Sequence, residues 1–96
     1  MEITIHDNEI IISGHIKTIE DYLEIKKAVS SMLDEGKNSI VIKLPETPVI
    51  TSALIGFFLK LIYEEKVKLT IYVKNEKLFD MLTVLNLVNI FNVKKF

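Results

Sequence analysis

The chain has 96 residues, 49% of them apolar, and a formal net charge of −1, which suits one domain with a single hydrophobic core. Such a balance gives no electrostatic case for nucleic acid or an acidic membrane surface. All twelve basic residues are Lys, so the bidentate reader of phosphates and bases is missing. The absence of Cys excludes disulfides, thiolate chemistry and Cys-ligated zinc, and fits a reducing compartment.

Glu2 to His6 alternates polar and apolar, and Glu9 to Ile12 is a β-branched apolar run. Asp7-Asn8 between them suits a two-residue hairpin turn, because both residues tolerate positive φ. Gly14 closes the second strand. Thr18 with Asp21 predicts a capping-box start, and Ile19, Tyr22, Ile25, Val29, Met32 and Leu33 follow at helical spacing. Gly36 suits a left-handed C-cap that ends this helix.

The third strand is expected over Ser39 to Leu44. A loop stiffened by Pro45 and Pro48 leads from it to Thr51-Ser52, where an apolar helix begins and runs to about Glu65. Val67 to Val73 alternates as a fourth strand. A third helix is expected from about Glu76 to Leu85, with Asn86 as its left-handed cap, and Ile90 to Val93 as a short final strand. The expected fold class is α/β: one domain over 1–96 with a mixed sheet and three main helices in the order β-β-α-β-α-β-α-β, the helices covering the sheet. Glu2, His6, Asp7 and Asn8 interrupt any signal-peptide pattern, and the apolar run Leu54 to Leu59 is too short to span a bilayer. The expectation is a soluble, cytoplasmic protein without membrane insertion.

On a helical wheel Lys60, Glu64 and Ala53 mark the polar side of the second helix. Ile55, Phe58, Leu59 and Ile62 lie opposite and are expected to form the core stripe. Leu54, Phe57 and Leu61 then widen the apolar arc to roughly 200°, about twice what a covering helix needs. In the third helix Leu78, Leu82 and Leu85 suffice for packing, yet Phe79, Met81 and Val84 are apolar as well. This excess is either extra core or a surface for a partner or a second copy.

The strand–loop–Thr51-Ser52–helix unit presents free backbone N–H groups at a helix N-terminus, which suits a phosphate or a partner's acidic group. Thr51 and Ser52 equally serve as plain N-caps. His6 and His15 lack metal-ligand spacing and read as surface histidines. Glu20, Asp21 and Glu24 are accounted for by the dipole of the first helix. No nucleophile–base–acid set, phosphate-binding glycine loop or metal cluster can be assembled from the sequence, so the reading is not an enzyme, with no cofactor and no metal.

The element order, Gly14 after the second strand, the Thr51-Ser52 unit, and Asn75-Glu76-Lys77-Leu78-Phe79 with Leu85-Asn86-Leu87 together resemble the STAS family, which includes bacterial anti-sigma factor antagonists. The resemblance covers nearly the whole chain through short motifs. It implies a protein-interaction module that binds a kinase-type anti-sigma factor and is switched off by phosphorylation of a serine. In the family that serine lies in an Asp-Ser-Ser-Gly-Leu-Gly motif at the start of the second helix. The gap-free alignment places Thr51 for Asp, Ser52 for the first Ser, Ala53 for the phosphorylated Ser and Leu54 for the first Gly. Ile55 then stands for Leu, and Gly56 matches the final Gly. A one-residue slip makes Ser52 the phosphorylated position, at the cost of a gap and of the Gly56 match.

With Ala53 at the switch position, the roughly two negative charges of a phosphoserine cannot be added there. The resemblance then implies a degenerate switch and a constitutive contact, with partner-binding residues Thr51, Ser52, Ala53, Leu54, Phe57 and Leu61. The STAS subunit of the bacterial phospholipid-transport ABC complex is the alternative, with a transporter ATPase as partner. It shares the hydroxyl at Ser52, a Leu-rich helix like Phe57-Phe58-Leu59-Lys60-Leu61-Ile62, and the Asn75-Glu76-Lys77 start. The second helix is about one turn shorter than in either subgroup. A homodimer is a further use for the apolar excess.

Overall fold

The computed structural model describes residues 1–96. Strands β1 (Glu2–His6) and β2 (Glu9–Ser13) form a hairpin, followed by α1 (Ile19–Asp34), β3 (Ser39–Leu44), α2 (Ser52–Tyr63), β4 (Lys68–Val73), α3 (Glu76–Val84) and β5 (Val93–Lys95). The chain is an α/β domain with a mixed sheet and three helices in the expected order. Only Asp7 of the hairpin turn takes positive φ, at 54°. The strands lie side by side in sequence order, with β1 antiparallel to β2 and every later pair parallel.

Three successive crossovers move the same way across the sheet, which places α1, α2 and α3 on one face. Their buried residues join one core with Ile10, Ile12, Ile40, Ile42, Leu44, Leu69, Ile71 and Val73, alternate positions of the three central strands. The other face carries no layer. A row of side chains crosses it instead: Glu9 pairs with Lys43 at 2.8 Å, Lys43 lies 5.6 Å from the Tyr72 ring, and Tyr72 packs on Phe96.

Helix ends follow local chemistry. Gly36 sits at φ 86°; its N–H donates to the Leu33 carbonyl and the Lys37 N–H to that of Met32, a Schellman closure of α1. Asn86, at φ 60°, closes α3 in the same pattern through Thr83 and Leu82. Leu85 is the C-cap of α3 and half exposed, so Leu78 and Leu82 are the buried anchors of that helix, with Phe79 and Met81 packed partly buried beside them.

The final strand lies further along than the expected Ile90 to Val93. Residues 89–92 form tight turns, with Asn92 at φ 49° and the Val93 N–H donating to the Val88 carbonyl at 2.8 Å. Phe91 is fully buried within those turns and meets Phe58 edge-on at 5.6 Å. An aromatic plug and its neighbours thus imitate the apolar run of a strand, while Asn89 and Asn92 supply the turn chemistry.

Replacing Gly36 by Ala tests the Schellman closure separately from packing, because a Cβ there meets nothing within 4 Å. Backbone strain alone then lowers stability by about 1 kcal/mol, read as a shift of the urea midpoint with unchanged slope.

Candidate functional site

The carboxyl ends of β2, β3 and β4 point the same way, so the N-termini of α1, α2 and α3 gather at one end of the sheet. Two loops define it here. Gly14, at φ 84°, donates its N–H to Oε1 of Glu46 at 2.7 Å, and its carbonyl accepts from the Thr47 hydroxyl at 3.1 Å. Thr47 is the one buried polar residue of the chain. The β3–α2 loop is therefore fastened to the β2–α1 loop through both backbone groups of one glycine, and Ile50 anchors its far end in the core. Val49, between the two anchors, is 56% exposed.

From this loop the chain enters α2 through Thr51, whose side chain accepts from the Leu54 N–H at 3.2 Å, the N-cap expected for it. Acidic residues occupy the first turns of α1 and α3 but not of α2. The neighbouring α1 begins with a complete capping box. Thr18 Oγ1 accepts from the Asp21 N–H at 3.0 Å, while Asp21 Oδ2 accepts from Thr18 N–H at 3.2 Å and Lys17 N–H at 3.0 Å. Between the two helix starts lies a cavity of about 210 Å³, lined by Lys17, Thr18, Ile19, Tyr22, Thr51 and Ala53.

The structure divides the sequence-derived site residues. Thr51, Ser52 and Ala53 are exposed at this corner. Leu54, Phe57 and Leu61 are not: they are 0%, 8% and 1% exposed and belong to the core. The buried stripe of α2 is Leu54, Phe57, Phe58 and Leu61, with Ile55, Leu59 and Ile62 only partly covered. The expected stripe is thus rotated by about one residue, or about 100°. The cause is lateral packing. Phe57 meets Tyr22 of α1 edge-on at 6.3 Å, Phe58 meets Phe91, and both flanks of the helix are occupied.

The sequence reading missed Glu46, Thr47 and Gly14 as a unit, because nothing local announces a contact across more than thirty positions. It also missed Ile19 and Lys17 as cavity walls. Gly56 is exposed, and a Cβ there meets nothing within 4 Å. With Ser52 and Ala53 it leaves the outer side of the first two turns of α2 low and smooth.

Two outcomes follow. Leu54→Ala is expected to cost about 2–5 kcal/mol in denaturant unfolding and Leu59→Ala clearly less; equal losses would restore the original stripe. Asp21 is held below its ordinary value of 3.8, chiefly by the Lys17 N–H, with desolvation opposing and the Thr18 N–H and hydroxyl adding. A depressed carboxylate contributes stability above its unfolded value and loses it as pH falls through the folded one. The stability gap between wild type and Asp21→Asn is therefore expected to be constant above this range and to close below pH 3.8, in urea titrations at a series of pH values.

Scans against protein-family models, curated proteins and solved structures return no match. No family is identified for the chain by these comparisons.

Proposed function

We propose that this chain is a protein-interaction module of the anti-sigma-factor-antagonist kind, with its contact surface at the start of α2 and no working serine switch. The observation that carries the proposal is the exposed run Ser52, Ala53 and Gly56. A glycine inside a helix costs about 1 kcal/mol relative to alanine. Neither a turn, a positive φ nor a close neighbour explains Gly56 within the chain. A partner backbone resting on that side of α2 does explain it, and Gly56 is also the position that matches the last glycine of the family motif.

In this proposal the partner contacts Thr51, Ser52, Ala53 and Gly56, with Val49 and Ile19 as the apolar rim on either side. Leu54, Phe57 and Leu61 support the surface from beneath rather than touching the partner. The Glu46–Gly14–Thr47 fastening holds the loop in one position, which spares the binding step the entropy of ordering it. With Ala53 where the phosphorylated serine stands in the resemblance, the contact is constitutive. Thr51 caps the helix whether or not a partner is bound, while Ser52, expected as a second cap, is the first helical residue and leaves its hydroxyl exposed.

The test is an affinity capture from native lysate with identification by mass spectrometry, using wild type, Gly56→Ala and Ala53→Asp. Both substituted positions are exposed, and an acidic residue in the first turn of a helix favours it, so both variants fold; Gly56→Ala is expected to gain about 0.5–1 kcal/mol of stability. Recovery of a kinase-type anti-sigma factor by wild type, with at least about tenfold weaker binding by either variant, is the expected result, equivalent to about 1.4 kcal/mol. Recovery of a transporter ATPase would transfer the module to the transport complex. If all three baits recover the same proteins equally, the α2 corner is not the contact surface.

A further inference from the structure

The two edges of the sheet are treated differently. At one edge, β5 is three residues long, carries Lys94 and Lys95, and Lys95 is tied to Glu76 at 3.0 Å. Short length and lysines are the usual guards against strand addition. At the other edge, β1 is five residues long with no proline and no lysine. Its outward-facing backbone groups can be assigned. A two-residue turn makes the closing pair His6–Glu9 a hydrogen-bonded one, and bonded pairs recur at every second position. Thr4 and Glu2 therefore also bond inward to β2, while the N–H and C=O of Ile3 and Ile5 face outward. No loop or side-chain hydrogen bond of the chain reaches them.

The side chains of β1 read the same from either end: Glu-Ile-Thr-Ile-His is an acid and a base bracketing two isoleucines about a central threonine. We propose that β1 pairs antiparallel with β1 of a second copy about a two-fold axis at Thr4, joining two five-stranded sheets edge to edge. In that register Ile3 N–H and C=O meet those of the partner copy's Ile5, and the reverse, which are the groups found facing outward. Ile3 and Ile5 meet on the helix-bearing side, where Ile5 is now 51% exposed. Glu2 meets His6 of the other copy on the open side, at a non-hydrogen-bonded position where side chains approach most closely. The start of α2 is not part of the pairing strand, so this surface goes beyond the partner contact proposed above.

A five-residue edge buries less than the about 1,200 Å² of a standard stable interface, so the association is weak and is to be sought at high concentration. Sedimentation equilibrium up to about 1 mM protein, the concentration scale of weak association, is expected to show the average mass climbing from 11.0 kDa toward twice that value. Ile5→Pro removes an outward N–H without touching the β1–β2 ladder, a substitution edge strands accept. It is expected to remain a monomer with an unchanged circular dichroism spectrum. Should it unfold, Ile5→Lys at the same half-exposed position serves in its place. His6→Glu sets like charges opposite one another and Glu2→Lys removes the acid that faces His6, so each is expected to weaken association, while the double exchange restores it. A wild type that stays monomeric throughout would overturn the proposal. So would a dimer indifferent to Ile5→Pro and Ile5→Lys, or a double exchange no better than the single ones.

Discussion

Because all three crossovers run in one direction, α2 is the middle helix of a single layer and must be packed on three sides at once. Its floor is the sheet, its one flank is Tyr22 of α1, and its other flank is Phe91 from the turns before β5. This explains why a twelve-residue helix carries an apolar arc of roughly 200° when a helix covering one side of a core needs about half that. The lateral aromatic contacts draw Phe57 and Phe58 down together, and the outer side is left to Ser52, Ala53, Gly56 and Lys60. Burial of α2 thus sets what the corner can present.

The corner itself is held from a distance. Gly14 gives up both backbone groups to Glu46 and Thr47, so the approach to α2 is fixed by the loop that precedes α1. Thr47 is enclosed, and its hydroxyl has a partner, which removes the cost of burying it. The loop is irregular yet anchored at Gly14 and at Ile50, with Val49 left outside. An interaction surface built on such a loop meets its partner already in shape.

What could be read from the sequence was local. Thr18 with Asp21, Gly36 and Asn86 announce helix ends because the residues that bond are neighbours in the chain. Alternation placed β1 and β4 to within a residue, since a strand with one buried face needs a period of two, and the apolar run Ile40, Val41, Ile42 and Leu44 placed β3. The wheel of α2 showed the width of its apolar arc but not its centre. Leu54 and Ile55 are equally apolar, and the choice between them is made by Tyr22 and Phe91, far away in sequence. The last strand failed for a related reason: Phe91 looks like a strand residue because it is buried, but it is buried from a turn. Thr51 was legible as a cap, whereas the fastening at Gly14 depends on residues brought together only by the fold.

The sequential order of the strands has a consequence for how the domain assembles. After the β1–β2 hairpin forms, each later strand joins beside the one made immediately before it, with its helix laid down on the same side. No finished strand pair has to open to admit a newcomer, as it must in sheets whose later strands insert between earlier ones. A chain leaving the ribosome from its amino end can therefore add structure in the order in which it is synthesised. Phe91 and β5 come last, and their arrival closes the far flank of α2 and completes the core.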